Sequence, residues 1–124
     1  MSQKYTSGFR KLIAWQKAHE ITLDIYRFTR SFPKDELYGI TSQLRRASSS
    51  IAAQITEGSR MTTMNHRKSY YDRAYASAAE VDYFLELAHD LEFLPAEKYE
   101  EFAKKINYVS ALVLGLAQSC KNKQ

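Results

Sequence analysis

The chain has 124 residues, 44% hydrophobic and 26% charged, which suits one domain built around a single core. No apolar run approaches the roughly 20 residues of a membrane span, the N-terminus lacks a signal-peptide core, and the lone Cys120 cannot pair internally, so a cytoplasmic, reducing setting with no membrane partner is expected. The formal charge of +4 is uneven, with 13 Lys/Arg against 6 Asp/Glu over residues 1–73 and 5 against 8 over residues 74–124, a split suited to nucleic acid on the basic half or to opposite faces pairing between subunits.

Residues 1–8 are polar and aperiodic and read as an arm. A first helix is predicted from near Phe9 to about Ser31, with Ala14, Ala18, Ile21, Ile25, Phe28 and Phe32 on one stripe. Lys17, Glu20, Asp24 and Arg27 take the opposite, solvated face. Leu12, Trp15, His19, Leu23 and Tyr26 form a second apolar flank, read either as a subunit contact or as a widening of the core. Pro33 ends this helix, because the residue before a proline is pushed out of the α region.

Asp35 is a possible N-cap for a second helix, whose stripe is Leu37, Ile40, Leu44, Ala47, Ile51 and Ile55. Its other faces are rich in Ser and Ala, which let neighbouring backbones come close. Gly58 is expected to stop it with a left-handed residue. Asn65 can cap a third helix running to about Phe93 and carrying Tyr70, Tyr71, Ala74, Ala78, Val81, Leu85 and Ala88. Its early turns are basic and its later turns acidic, the reverse of what the helix dipole favours.

Pro95 is placed in the first turn of a fourth helix. There Tyr99, Phe102, Ile106, Val109, Val113, Leu116 and Cys120 repeat at alternating spacings of 3 and 4, a left-handed bundle seam. Residues 121–124 are a polar tail. The expectation is an all-α, antiparallel, up-down-up-down four-helix bundle over residues 9–120.

Chemistry-bearing patterns are sparse. Glu86-Leu87-Ala88-His89 has the Glu-x-x-His spacing of di-iron bundles once, without a second copy or the other core glutamates. The serines at 48–50 have no adjacent histidine or glycine-rich elbow. No enzymatic activity, metal or cofactor is expected. Arg46 is read as a structural partner of Glu57 or Glu80. Arg45, about 100° away on the helix, is read as a surface contact.

Arg30, Lys34, Arg45, Arg60, Arg67, Lys68 and Arg73 gather near helix ends and connections, with Tyr5, Tyr38, Tyr70, Tyr71 and Tyr75 among them. Basic groups there suit phosphate contacts, and exposed tyrosines can stack on unpaired bases.

The motifs FxKLIAWQKAHEIT and FPKDELYGITSQLRRASSSIAAQITEG carry a resemblance. Leu12, Trp15, Gln16, Lys17, Phe32-Pro33, Glu36, Gln43 to Ala47, Ser50-Ile51, Glu57-Gly58, Ala74, Ser77 and Glu80 match it. The chain resembles the bacterial four-helix bundle proteins encoded in intervening sequences of 23S rRNA genes, a superfamily that includes the accessory variability determinants of diversity-generating retroelements. Gln54, Thr56, Ala76 and Ser48-Ser49 depart from the usual pattern. The resemblance implies a ring-shaped homo-oligomer, typically a pentamer, without enzymatic activity. It also implies an RNA-binding or scaffold role or, in the retroelement branch, an adaptor that binds a reverse transcriptase and its RNA.

Overall fold

The computed structural model describes residues 7–120. Four helices dominate them: α1 (Ile13–Phe28), α2 (Ser42–Ser59), α3 (Met64–Asp90) and α4 (Ala96–Ser119). Each helix packs on its neighbour in the chain, and α1 closes the square against α4. Facing pairs run in opposite directions along every seam. Thr22 meets Ser48 and Thr29 meets Arg45; Ser50 meets Ser77 and Gly58 meets Tyr71; Asp24 meets Lys105 and Phe28 meets Phe102; His89, near the end of α3, meets Tyr99, near the start of α4. The result is an antiparallel four-helix bundle, with the expected stripes turned inward.

Ile21, Ile25, Leu44, Ile51, Ile55, Val81, Leu85, Ile106, Val109 and Val113 are fully buried. Burying a side chain of this size contributes about 1.5–3 kcal/mol each relative to exposure. Ala74, Ala78 and Ala88 of α3 are buried as well, so small residues let α2 and α4 close on it. Ser48 does the same between α1 and α2, where Thr22 Oγ1 donates to its carbonyl at 3.0 Å.

The helix ends differ from expectation in several places. Residues Gly8–Lys11 form a 3-10 turn before α1, and another, Thr29–Ser31, follows it. Phe32 is extended ahead of Pro33, as the proline requires. Asp35 caps nothing; a 3-10 turn (Lys34–Glu36) and a π turn (Leu37–Thr41) precede α2 instead. Glu36 accepts from the Ile40 amide at 3.5 Å. The wider turn moves Leu37 off the stripe, leaving it 45% exposed.

Gly58 does not stop α2 with a left-handed residue. It is buried inside the helix, where a Cβ would lie 2.8 Å from Tyr71 Cε1 and 3.0 Å from Tyr70 Cβ. Its role is therefore close approach of α2 to α3. The cap of α3 is Thr63, not Asn65; its side chain accepts from the His66 amide at 3.2 Å. That helix ends at Asp90, and Glu92 supplies the left-handed residue (φ 67°) with Phe93 N–H donating to Ala88 O at 2.9 Å. Pro95 is the N-cap of α4, one residue earlier than expected. Tyr5, most of the expected arm and the 121–124 tail lie outside the described residues.

Candidate nucleic-acid interface

An antiparallel bundle sends alternate connections to opposite ends, and this divides the basic residues. Arg30, Lys34 and Arg45 lie at the end holding the α1–α2 connection. Arg60, Arg67 and Lys68 lie at the end holding the α2–α3 connection, beside Arg10 and Lys11 at the start of the chain's described part. The 18 residues of α2 separate the two groups by about 27 Å at 1.5 Å per residue. That exceeds two Debye lengths of about 8–10 Å, so the predicted cluster is two independent groups.

Their surroundings also differ. The α3–α4 connection shares the α1–α2 end and brings Asp90, Glu92 and Glu97 there, next to Asp35 and Glu36. The α2–α3 end carries few acids. Asp72 is paired with Lys68 (Nζ–Oδ2 2.8 Å), and Glu57 is exposed on α2. Arg10, Lys11 and Arg60 are exposed, and none makes an ion pair among the described residues. Arg67 Nε donates to the Met61 carbonyl at 2.8 Å, which fixes the side chain and leaves its terminal nitrogens for a ligand. Arg73 lies farther along α3, its guanidinium 4.7 Å from the Tyr70 ring centre.

Arg45 and Arg46 exchange the roles expected of them. Arg45 Nε donates to Thr29 Oγ1 at 2.9 Å and a terminal nitrogen donates to Tyr26 O at 3.2 Å. Its guanidinium also sits 5.0 Å from the Tyr26 ring centre. It therefore braces the end of α1. Arg46 is exposed and donates to Gln43 Oε1 at 2.7 Å. Glu57 and Glu80 are exposed too, and neither pairs with Arg46 among the described residues. The polar network proposed for these three is absent from the described part of the chain, because all three point outward.

The second apolar flank of α1 also divides. Trp15 is only 9% exposed, packed edge-on to Phe9 (5.2 Å) and stacked on His19 (4.9 Å), so it belongs to the core. Leu12 packs beside it. His19, Leu23 and Tyr26, with Thr22, Ser49 and Ala52, line an open apolar groove of about 320 Å³ between α1 and α2. Among the tyrosines, Tyr38 is 92% exposed, Tyr75 is exposed and Tyr71 is buried.

At the α2–α3 end, Gly8, Phe9, Leu12, Ser59, Arg60, Arg67 and Tyr71 line a second groove of about 520 Å³. Sequence reading missed it, because Phe9 and Tyr71, far apart in the chain, come to one groove only in the folded bundle. Among the described residues no group of three or more His, Cys, Asp or Glu is placed to hold a metal ion, and no helix is long and apolar enough to cross a membrane.

Comparison with known proteins bears on this geometry. A crystal structure described as a protein with unknown function from the S23 ribosomal protein family of Bacteroides thetaiotaomicron matches with a TM-score of 0.77 at 22% identity. The match covers 86% of this chain and 99% of that one, and at this identity it speaks to the fold alone. No curated protein matches. The family model described as 23S rRNA-intervening sequence protein matches residues 10–115, most of the chain. The chain therefore belongs to the 23S rRNA-intervening sequence protein family.

Proposed function

We propose that the protein is a non-enzymatic RNA-binding scaffold that works as a homo-oligomer, with the α2–α3 end of each bundle facing RNA. The observation that carries this reading is the segregation of charge. Arg10, Lys11, Arg60 and Arg67 share one end without ion pairs among the described residues, whereas the basic groups of the other end stand among carboxylates. Phosphates are drawn to the first arrangement and meet acidic neighbours at the second. The groove of His19, Leu23 and Tyr26 supports self-association, since it offers apolar surface between two helices without a charged side chain in its lining.

RNA titrations from low to moderate salt test the reading. Affinity should fall steeply, because each neutralised phosphate releases counterions. Affinity that does not change with salt contradicts it. Negligible binding by the isolated protein, with co-purification of a reverse transcriptase, would replace it with the adaptor role. Mass measurement in solution tests assembly, which a monomer at micromolar concentration rules out.

A further inference from the structure

We propose that the groove at the α2–α3 end receives a single unpaired nucleotide of the bound RNA, its base against Phe9 and Tyr71 and its phosphates on Arg60 and Arg67. This deepens the RNA-binding reading above and rests on it.

The groove combines three chemistries that a nucleotide needs. Its volume of about 520 Å³ lies within the ~300–1,000 Å³ range of small-ligand sites. Phe9 and Leu12 supply an apolar wall, and Arg60 and Arg67 stand on the rim. The Arg10 guanidinium lies over the Phe9 ring, 4.4 Å from its centre. Guanidinium planes of this kind are platforms on which an unpaired base stacks.

Tyr71 adds a polar group to the groove. The residue is 5% exposed and lines the groove, and its hydroxyl makes no hydrogen bond among the described residues while not being shut off from solvent, so it is open to a ligand. Burial also raises the phenol's pKa, against the lowering effect of Arg67, so it stays protonated at neutral pH and can donate as well as accept. A base edge satisfies both capacities. In a duplex the edges are occupied by pairing and the faces by stacking. Paired RNA can therefore neutralise the arginines, but it cannot reach the phenol or the apolar wall. Two features mark its rim. Gly8 adopts φ +57°, a conformation that strains any side chain, and Arg67 is tied to the Met61 carbonyl.

The test compares three RNA duplexes at one salt concentration: blunt, with a single-nucleotide bulge, and with the same bulge made abasic. The intact bulge should bind about tenfold tighter than either of the others, the scale of stacking one base. Tyr71→Phe keeps the ring against Gly58 and removes only the hydroxyl; Phe9→Ala removes part of the wall. Each should shrink the preference for the bulge several-fold while leaving blunt-duplex affinity unchanged, with thermal unfolding checking the fold of both variants. Equal affinity for all three duplexes, still steeply salt-dependent, overturns the nucleotide site and leaves RNA binding standing. A bulge preference that survives both substitutions places the base elsewhere and overturns the site as well. Absence of binding to every duplex at low salt overturns both the site and the RNA reading.

Discussion

The two ends of the bundle are built from the same four helices and close in different ways. At the α1–α2 end, Phe28, Phe32, Phe93 and Phe102 form a chain of ring contacts with centres 5.7–6.2 Å apart. Arg45 ties α2 to the end of α1 there, and both acidic and basic side chains stand at this end. At the α2–α3 end the helices close through Gly58 against Tyr71, an open groove remains, and the rim is basic. On the function proposed above, the difference assigns stability and recognition to opposite poles. The first end has the longer chain of aromatic contacts and a groove of about 320 Å³ beside Phe32, and the second has the larger groove, about 520 Å³, and the more basic rim.

The comparison breaks most visibly in the aromatic cluster. Phe102 is 2% exposed, and Phe102→Ala should cost about 3–5 kcal/mol in chemical denaturation, because it leaves a cavity among rings that cannot collapse into it. A loss under about 1 kcal/mol, the scale of ordinary surface substitutions, would mean that this end is not the stable pole. At the α2–α3 end, Gly58→Ala gains about 1 kcal/mol in helix propensity. It also forces a methyl group to within 2.8 Å of the Tyr71 ring, an overpacking that costs about 1–3 kcal/mol. The expected result is a net loss near 1 kcal/mol together with a shift in the Tyr71 environment, read by near-ultraviolet dichroism.

Arg45→Ala should destabilise by about 1–2 kcal/mol, since it deletes two hydrogen bonds and a ring contact at the closed end. Arg46→Ala should stay within about 0.5 kcal/mol, as exposed positions usually do. Equal effects would remove the distinction between the two arginines.

The smallest effect concerns the tie between α1 and α4. Lys105 donates to Asp24 (3.0 Å) and Glu101 (3.2 Å). These bonds, Asp24's first, outweigh desolvation and raise the ammonium's pKa, while Lys105 and then Lys98 lower that of Glu101. The stabilisation by Lys105 is thus complete below the ordinary lysine value and lost as pH rises through its raised pKa. That by Glu101 is present above the ordinary carboxylate value and lost as pH falls through its depressed pKa. The groups are largely exposed, so Lys105→Met should cost only about 0.2–1 kcal/mol at neutral pH, and less at high salt.

Helices and their buried stripes were legible because a 3.6-residue period needs no tertiary information. The α4 seam from Phe102 to Cys120 is the plainest case, and the match to the family followed from motifs spread over the same helices. What sequence could not supply was relative position across helices. A 100° separation says that Arg45 and Arg46 differ, but only the packing of α1 against α2 decides which one is tied down. Basic residues near in sequence were read together, although α2 carries them to opposite ends. Gly58 and Tyr71 each looked local, as a helix stop and a stacking residue. Their mutual contact is what lets α2 come close to α3.

Charge reversal at each end tests the central claim most directly. Arg60→Glu with Arg67→Glu, and separately Arg30→Glu with Lys34→Glu, are to be titrated with RNA across a salt series. The first pair should weaken binding at least about tenfold and flatten the salt dependence by roughly one unit of slope per lost phosphate contact. The second pair should leave affinity and slope close to those of the unaltered protein. Equal losses from both pairs, or a larger loss from Arg30 and Lys34, would contradict the assignment of RNA to the α2–α3 end.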